Sequence, residues 1–127
     1  MENNSKLKIL LVDDEEFIVS ALSLKLEKRG METVWAQNGM EGLQMARTEK
    51  PDAIILDIML PGIDGFKVCK LLKSDDNTMH IPVIIASAKD GEDDLKVGLE
   101  VGADHYLTKP FKMGDILKLI TELTTTV

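Results

Sequence analysis

Five short apolar runs punctuate the chain, at residues 7–12, 33–36, 53–56, 83–86 and 105–107. They are rich in Val, Ile and Leu, and most are apolar at successive rather than alternate positions. That pattern predicts strands covered on both faces, as in a parallel sheet. Pro51 and Pro82 stand just ahead of the third and fourth runs. The stretches between them repeat apolar residues every three to four positions, which predicts amphipathic helices. Ile18, Ala21, Leu22 and Leu26 mark the core face of a first helix ending near Gly30, a residue suited to the left-handed turn after a helix. A second helix spans about 40–48. Val68, Cys69 and Leu72 mark a third, with Lys67, Lys70 and Lys73 turned outward. A fourth at about 92–101 is acidic, carries Gly98 and has a weak stripe. Met113, Ile116, Leu117, Ile120 and Leu123 give the last helix the clearest stripe. Five strands alternating with five helices through short connections predict βαβ units with right-handed crossovers. The expected fold is α/β, a flavodoxin-like doubly wound sandwich whose five-stranded parallel sheet has the order 2-1-3-4-5. Residues 1–127 are read as one domain, with a core of about 7–124.

Four of the runs end in chemistry. The first leads into Asp13-Asp14, the third into Asp57, the fourth into Ser87, and the fifth into Thr108-Lys109. All strands of an open parallel sheet finish on one edge, where ligands bind. Three carboxylates, a hydroxyl and an ammonium are therefore expected in one pocket. Carboxylates brought that close repel and call for a cation. With only oxygen donors in the motif, a hard ion such as Mg²⁺ fits best. Mg²⁺ pairs naturally with a phosphoryl group, which the lysine and the hydroxyl would hold. A carboxylate can itself attack phosphorus and form an acyl phosphate. The site thus reads as one that receives a phosphoryl group on an aspartate.

Charge and composition narrow the surroundings of that pocket. Fifteen Lys+Arg against 22 Asp+Glu give a net charge of −7, which argues against direct nucleic-acid binding because phosphate contacts need a basic face. The single cysteine, Cys69, can form no internal disulfide and reads as a small core residue on a helix. No apolar stretch reaches the roughly 18–20 residues needed to cross a bilayer. The polar N-terminal segment lacks a signal-peptide core. A cytoplasmic protein without membrane insertion is expected.

Leu10-Leu11-Val12-Asp13-Asp14-Glu15, the segment from Asp57 through Pro61-Gly62 to Gly65, Ala86-Ser87-Ala88, and Gly102 to Phe111 with Thr108-Lys109-Pro110 together resemble the receiver domain of two-component response regulators. The resemblance covers about residues 7–124. It implies that Asp57 is the phospho-acceptor, and that Asp13, Asp14 and Asp57 hold Mg²⁺ with the backbone carbonyl of Met59. It implies that Ser87 moves toward the phosphoryl group, that Tyr106 is an aromatic switch following it, and that Lys109 pairs with the phosphoryl oxygens after a cis Lys109–Pro110 bond. The implied donor is a sensor histidine kinase or a phosphotransfer protein. The implied readout is the surface of the fourth helix, fifth strand and fifth helix, which a downstream effector or a second copy would contact. A phosphoryl group adds about −1.5 to −2 charges at one point, enough to bias such a surface.

Plainer roles stand beside these. Asp13 and Asp14 could cap the first helix, and Tyr106 could simply pack with its hydroxyl at the surface. Phe17 lies beside the core stripe and suits either a kinase contact or burial under a loop; Leu24 and Leu119 raise the same question. Trp35, on an expected edge strand, suits packing or contact. His105 reads as an exposed strand residue, and His80 has no assigned role. An alternative activity is a Mg²⁺-dependent phosphatase with an aspartyl nucleophile, but short loops leave no cap for a substrate. A flavin-binding protein is disfavoured, since Asp13 to Glu16 would repel the cofactor phosphate. The chain ends soon after Leu123, so it is expected either to act alone by binding partners or to be a receiver cut from a longer regulator. The fifth helix has Lys112 and Lys118 but no arginine, leaving a phosphorylation-dependent homodimer as an open expectation.

Overall fold

The computed structural model describes residues 6–125. Its elements are β1 (Lys8–Val12), α1 (Glu16–Lys28), β2 (Glu32–Ala36), α2 (Gly39–Glu49), β3 (Ala53–Leu56), α3 (Gly65–Ser74), β4 (Val83–Ser87), α4 (Glu92–Glu100), β5 (His105–Thr108) and α5 (Met113–Thr124). All four strand pairings are parallel, and the sheet order is β2-β1-β3-β4-β5. This is the expected flavodoxin-like arrangement.

Alternate residues of each strand feed two cores. Leu10, Val12, Ile54, Leu56, Val83 and Ile85 face α2 and α3, where they meet Ala46, Val68, Cys69 and Leu72. Ile9, Leu11, Ala53, Ile55, Ile84 and Ala86 face Val19, Leu22 and Leu26 of α1 and Ile116 and Ile120 of α5. Burial on both sides explains why the central strands read as unbroken apolar runs. Each fully buried Leu or Ile contributes roughly 1.5–3 kcal/mol relative to exposure.

The core face of α1 differs from the expected one. Val19, Leu22 and Leu26 are buried, whereas Ile18 is half-buried and Ala21 exposed. Two adjacent registers satisfy the 3.6-residue period because the helix is apolar over much more than one face. The sheet takes 19/22/26, and Phe17, Ile18 and Ala21 are left along the flank facing Phe111 and Met113.

Helix ends follow local chemistry. Asn38 and Asp64 cap α2 and α3 through side-chain acceptors to Glu41 and Phe66 amides. Gly30 (φ +85°) closes α1: its amide bonds to Glu27 O, and the Met31 amide bonds to Leu26 O, the paired bonds of a Schellman turn. Gly102 (φ +97°) ends α4 the same way, through Leu99 O and Gly98 O.

Candidate functional site

The charged residues come together because each is the first residue beyond its strand while its amide stays on the sheet ladder. Asp13 N–H donates to Ala36 O (3.1 Å), Asp57 N–H to Val12 O (2.9 Å), and Lys109 N–H to Ser87 O (2.8 Å). Each acceptor closes the neighbouring strand, so the three side chains leave the sheet at one level. Carboxylate oxygens of Asp13, Asp14 and Asp57 lie within 4.8 Å of one another. Asp13 and Asp57 are buried and Asp14 is exposed.

Lys109 is the cation within this group. Its Nζ lies 3.0 Å from Asp13 Oδ2, 3.2 Å from Asp57 Oδ2 and 3.7 Å from Glu15 Oε1. Burial works against its charge, but the hydrogen bond to Asp13 and the charges of Asp57 and Asp13 outweigh that, raising its pKa above an ordinary lysine. The other carboxylate oxygens take backbone donors: Asp13 Oδ1 from Glu15 N–H (2.9 Å) and Asp57 Oδ1 from Met59 N–H (3.0 Å). Asp13 is therefore not a cap of α1. The N-cap is Glu15, with no side-chain capping bond. The Lys109–Pro110 bond is cis.

One ammonium stands among four acids, Asp13, Asp14, Glu15 and Asp57, so the pocket has capacity for a further cation. The donors are all oxygen, and exposed Asp14 leaves room for the waters that Mg²⁺ retains. The residues fit that ion.

Comparison with known proteins adds the family. The model of the response regulator receiver domain matches residues 9–121. The chain belongs to that family. It is 43% identical over 113 residues to protein PilH of Pseudomonas aeruginosa, covering 89% of this chain and 93% of that one. It is 49% identical over 109 residues to the alkaline phosphatase synthesis transcriptional regulatory protein PhoP of Bacillus subtilis, covering 86% of this chain and 45% of that protein. The receiver thus spans about half the length of that relative. Among solved structures, the receiver domain of the Francisella response regulator 1452 superposes with a TM-score of 0.86 at 34% identity, over 94% of this chain and 97% of that one. Residues 9–121 are thus a receiver domain of the kind used in two-component signalling. Among its described residues no helix is long and apolar enough to cross a membrane.

Around the receiver's acidic pocket, Ser87 ends β4 with its hydroxyl fully buried, accepting from Lys89 N–H (3.2 Å). Tyr106 lies on β5, its ring against Gly98 and its hydroxyl donating to Lys89 O (2.7 Å). Burial and then the Asp94 carboxylate push that hydroxyl's pKa upward. The segment after Ser87 therefore touches both Ser87 and Tyr106 through one residue, Lys89, which the sequence did not single out. Met59 lies two residues past Asp57 with an exposed side chain. Phe17 is 86% exposed beside the pocket, Leu24 is exposed, Leu119 is half-buried against the α1/α5 core, and His105 and His80 are exposed. Trp35 is neither free nor merely packed: its indole N–H donates to Asp13 O (2.7 Å).

One glycine supports the pocket sterically. Gly65 begins α3 against the segment that follows β3. A Cβ there would strike Ile58 Cα and lie 2.8 Å from Asp57 O, both backbone. Gly65→Ala is expected to cost about 2–3 kcal/mol in urea unfolding, since neither atom can move aside. Gly114→Ala, whose Cβ meets nothing within 4 Å, should be neutral or stabilise α5 by up to ~1 kcal/mol. Equal midpoints for the two variants would refute the steric account.

Cys69 is fully buried, as expected. Burial pushes its thiol up to about 11, with Lys73 opposing and Asp104 reinforcing. The unfolded chain therefore loses this proton first, and the folded state holds more protons from about pH 9 to about pH 11. Over that window Cys69 makes stability fall as pH rises. At neutral pH the native thiol should resist a disulfide reagent for hours and react within minutes in denaturant. Rapid native labelling would refute this burial.

Proposed function

We propose that this receiver accepts a phosphoryl group on Asp57 from a phosphohistidine of a sensor histidine kinase or phosphotransfer protein, in a Mg²⁺-dependent reaction in the cytoplasm. The observation that carries this reading is a buried carboxylate flanked by two further acids, with its Oδ2 3.2 Å from a lysine ammonium. The Asp57 carboxylate attacks phosphorus, the P–N bond breaks, and its electron pair returns to the imidazole. Lys109 holds the incoming phosphoryl oxygens, and the Ser87 hydroxyl donates to one of them. Asp13, Asp14 and Asp57, with the Met59 carbonyl, are the residues that would hold Mg²⁺, which supplies charge neutralisation on the phosphoryl oxygens. Attack of water on phosphorus later returns the carboxylate and releases inorganic phosphate. The product is a conformational state, so the domain acts as a switch with self-catalysed phosphotransfer and slow autodephosphorylation.

Ser87 and Tyr106 carry the signal to the α4–β5–α5 surface, where an effector, an output domain or a second copy docks. The contact through Lys89 supports this route, since a displaced Ser87 would disturb the segment that holds the Tyr106 hydroxyl. Phe17, Ile18, Ala21, Phe111 and Met113 form an apolar groove that also includes Lys109; it suits the docking helix of the phosphoryl donor. We assign the receiver role to residues 1–127, with a core of about 7–124.

Incubation with acetyl phosphate and Mg²⁺ tests the reading. Intact-mass measurement should show one added phosphate, absent in excess EDTA. An unmodified mass, or continuous turnover of small phosphate esters without a modified protein, would overturn it.

A further inference from the structure

The backbone of Asp13 is held on both its N–H and its C=O by the edge strand β2. Register places Trp35 opposite Leu11 and Ala36 opposite Val12, so both stand just before Asp13. Ala36 O receives the Asp13 amide at 3.1 Å, continuing the ladder. The ladder does not continue on the other side of that residue. Instead the indole N–H of Trp35 donates to Asp13 O at 2.7 Å. With Glu15 N–H on Oδ1 and Lys109 on Oδ2, every polar group of Asp13 has a partner. Trp35 is half-buried on the sheet edge, and its N–H finds its partner in the backbone of a residue 8% exposed.

We propose that Trp35 is a positioning residue of the phospho-acceptor pocket: its indole N–H, acting with Ala36 O, fixes the Asp13 peptide so that the Asp13 carboxylate is preset to hold a divalent cation beside Asp57. The inference rests on the phospho-acceptor reading above. Its physical basis is preorganisation. A carboxylate whose own backbone is clamped loses little freedom when a cation takes it, and the affinity retains that saving. Without the N–H donor, a largely buried carbonyl is left to rotate toward another partner, carrying its side chain with it. By reciprocity, a cation that tightens Asp13 must also strengthen the indole bond.

Two replacements in the full chain separate positioning from packing. Trp35→Phe removes the donor and part of the ring. Incorporation of 3-benzothienylalanine at position 35 keeps the bicyclic shape and removes only the N–H. Calorimetric titration with MgCl₂ should give roughly fivefold weaker binding for both, the equivalent of one net hydrogen bond. The initial rate of phosphoryl uptake from acetyl phosphate at subsaturating Mg²⁺ should fall by a similar factor and recover at saturating Mg²⁺. The chain has one tryptophan, so in the wild type a single indole N–H proton resonance should shift during the same Mg²⁺ titration, with the same midpoint.

Mg²⁺ affinities within twofold of wild type for the benzothienyl chain would overturn the inference, whatever happens to its melting temperature. Weakened binding in Trp35→Phe alone would assign the effect to packing and overturn it equally. If the wild type binds Mg²⁺ but takes up no phosphoryl group, the phospho-acceptor reading fails while the affinity comparison still decides the role of Trp35. If the wild type binds no Mg²⁺, both fall together.

Discussion

Asp57→Asn is expected to take up no phosphoryl group under conditions that modify the wild-type receiver fully, while still folding cooperatively. The effect is complete because it removes the nucleophile and leaves most of its setting. An amide oxygen is a far weaker nucleophile toward phosphorus than a carboxylate, and no base nearby restores it. The asparagine Oδ1 can still accept from Met59 N–H, the bond that Asp57 Oδ1 makes at 3.0 Å. The backbone bond from residue 57 to Val12 O is untouched. Lys109 retains Asp13 at 3.0 Å. Circular dichroism and a cooperative melt should therefore match the wild type closely, and intact mass after acetyl phosphate treatment should show no addition. The neighbouring acids make the experiment discriminating. Asp13 lies within 4.8 Å of Asp57, but both of its oxygens are engaged, by Glu15 N–H and by Lys109. Asp14 is exposed, with no comparable backbone donor among the described residues. A phosphate still acquired by Asp57→Asn would move the acceptor to one of these residues and overturn the assignment.

Much of this pocket was legible in the sequence because strand ends are legible. Asp13 and Asp57 follow a β-rich run directly and Lys109 follows one after Thr108, and the amide bonds to Ala36, Val12 and Ser87 show why that matters. Parallel strands that end together carry the next side chain to a common level. Ser87 was placed just past its strand, yet it is the last residue of β4 and pairs with Thr108; the difference of one residue leaves it on the same edge. Periodicity was a poorer guide wherever two registers satisfied it. In α1 the residues 17 to 19 and 21 to 22 include five apolar side chains, and only contact with the sheet selects Val19 over Ile18 and Ala21. Contacts between distant residues left no periodic trace at all. Nothing in the spacing of Trp35 and Asp13 announces an indole bond across 22 residues. Nor does it announce that Gly98 is needed because a Cβ would lie 2.7 Å from the Tyr106 ring. Such constraints arise only after the layers have packed.

Lys109→Met is expected to separate three things that one ammonium does here. Methionine keeps most of the side-chain volume and removes the charge, leaving Asp13, Asp57 and exposed Glu15 without the ammonium that pairs with them. Breaking a largely buried ion pair on one side typically costs 3–5 kcal/mol. Because Asp14 opens this pocket to water, about 3 kcal/mol is expected in EDTA, seen as a lower urea midpoint. Mg²⁺ should reverse much of that loss. The ammonium at 3.0 and 3.2 Å from the two buried carboxylates competes with any cation that would take those oxygens, so its removal should tighten Mg²⁺ binding. By mass action the variant's melting temperature should then rise more on adding Mg²⁺ than the wild type's does. Phosphoryl uptake should nevertheless fall about 100-fold at saturating Mg²⁺, because a group bringing roughly −1.5 to −2 charges loses its positioned cation. The opposed directions are the test: tighter metal binding with slower transfer. Weaker Mg²⁺ binding would mean that Lys109 organises the acids rather than competing for them, and unchanged uptake would remove it from the reaction.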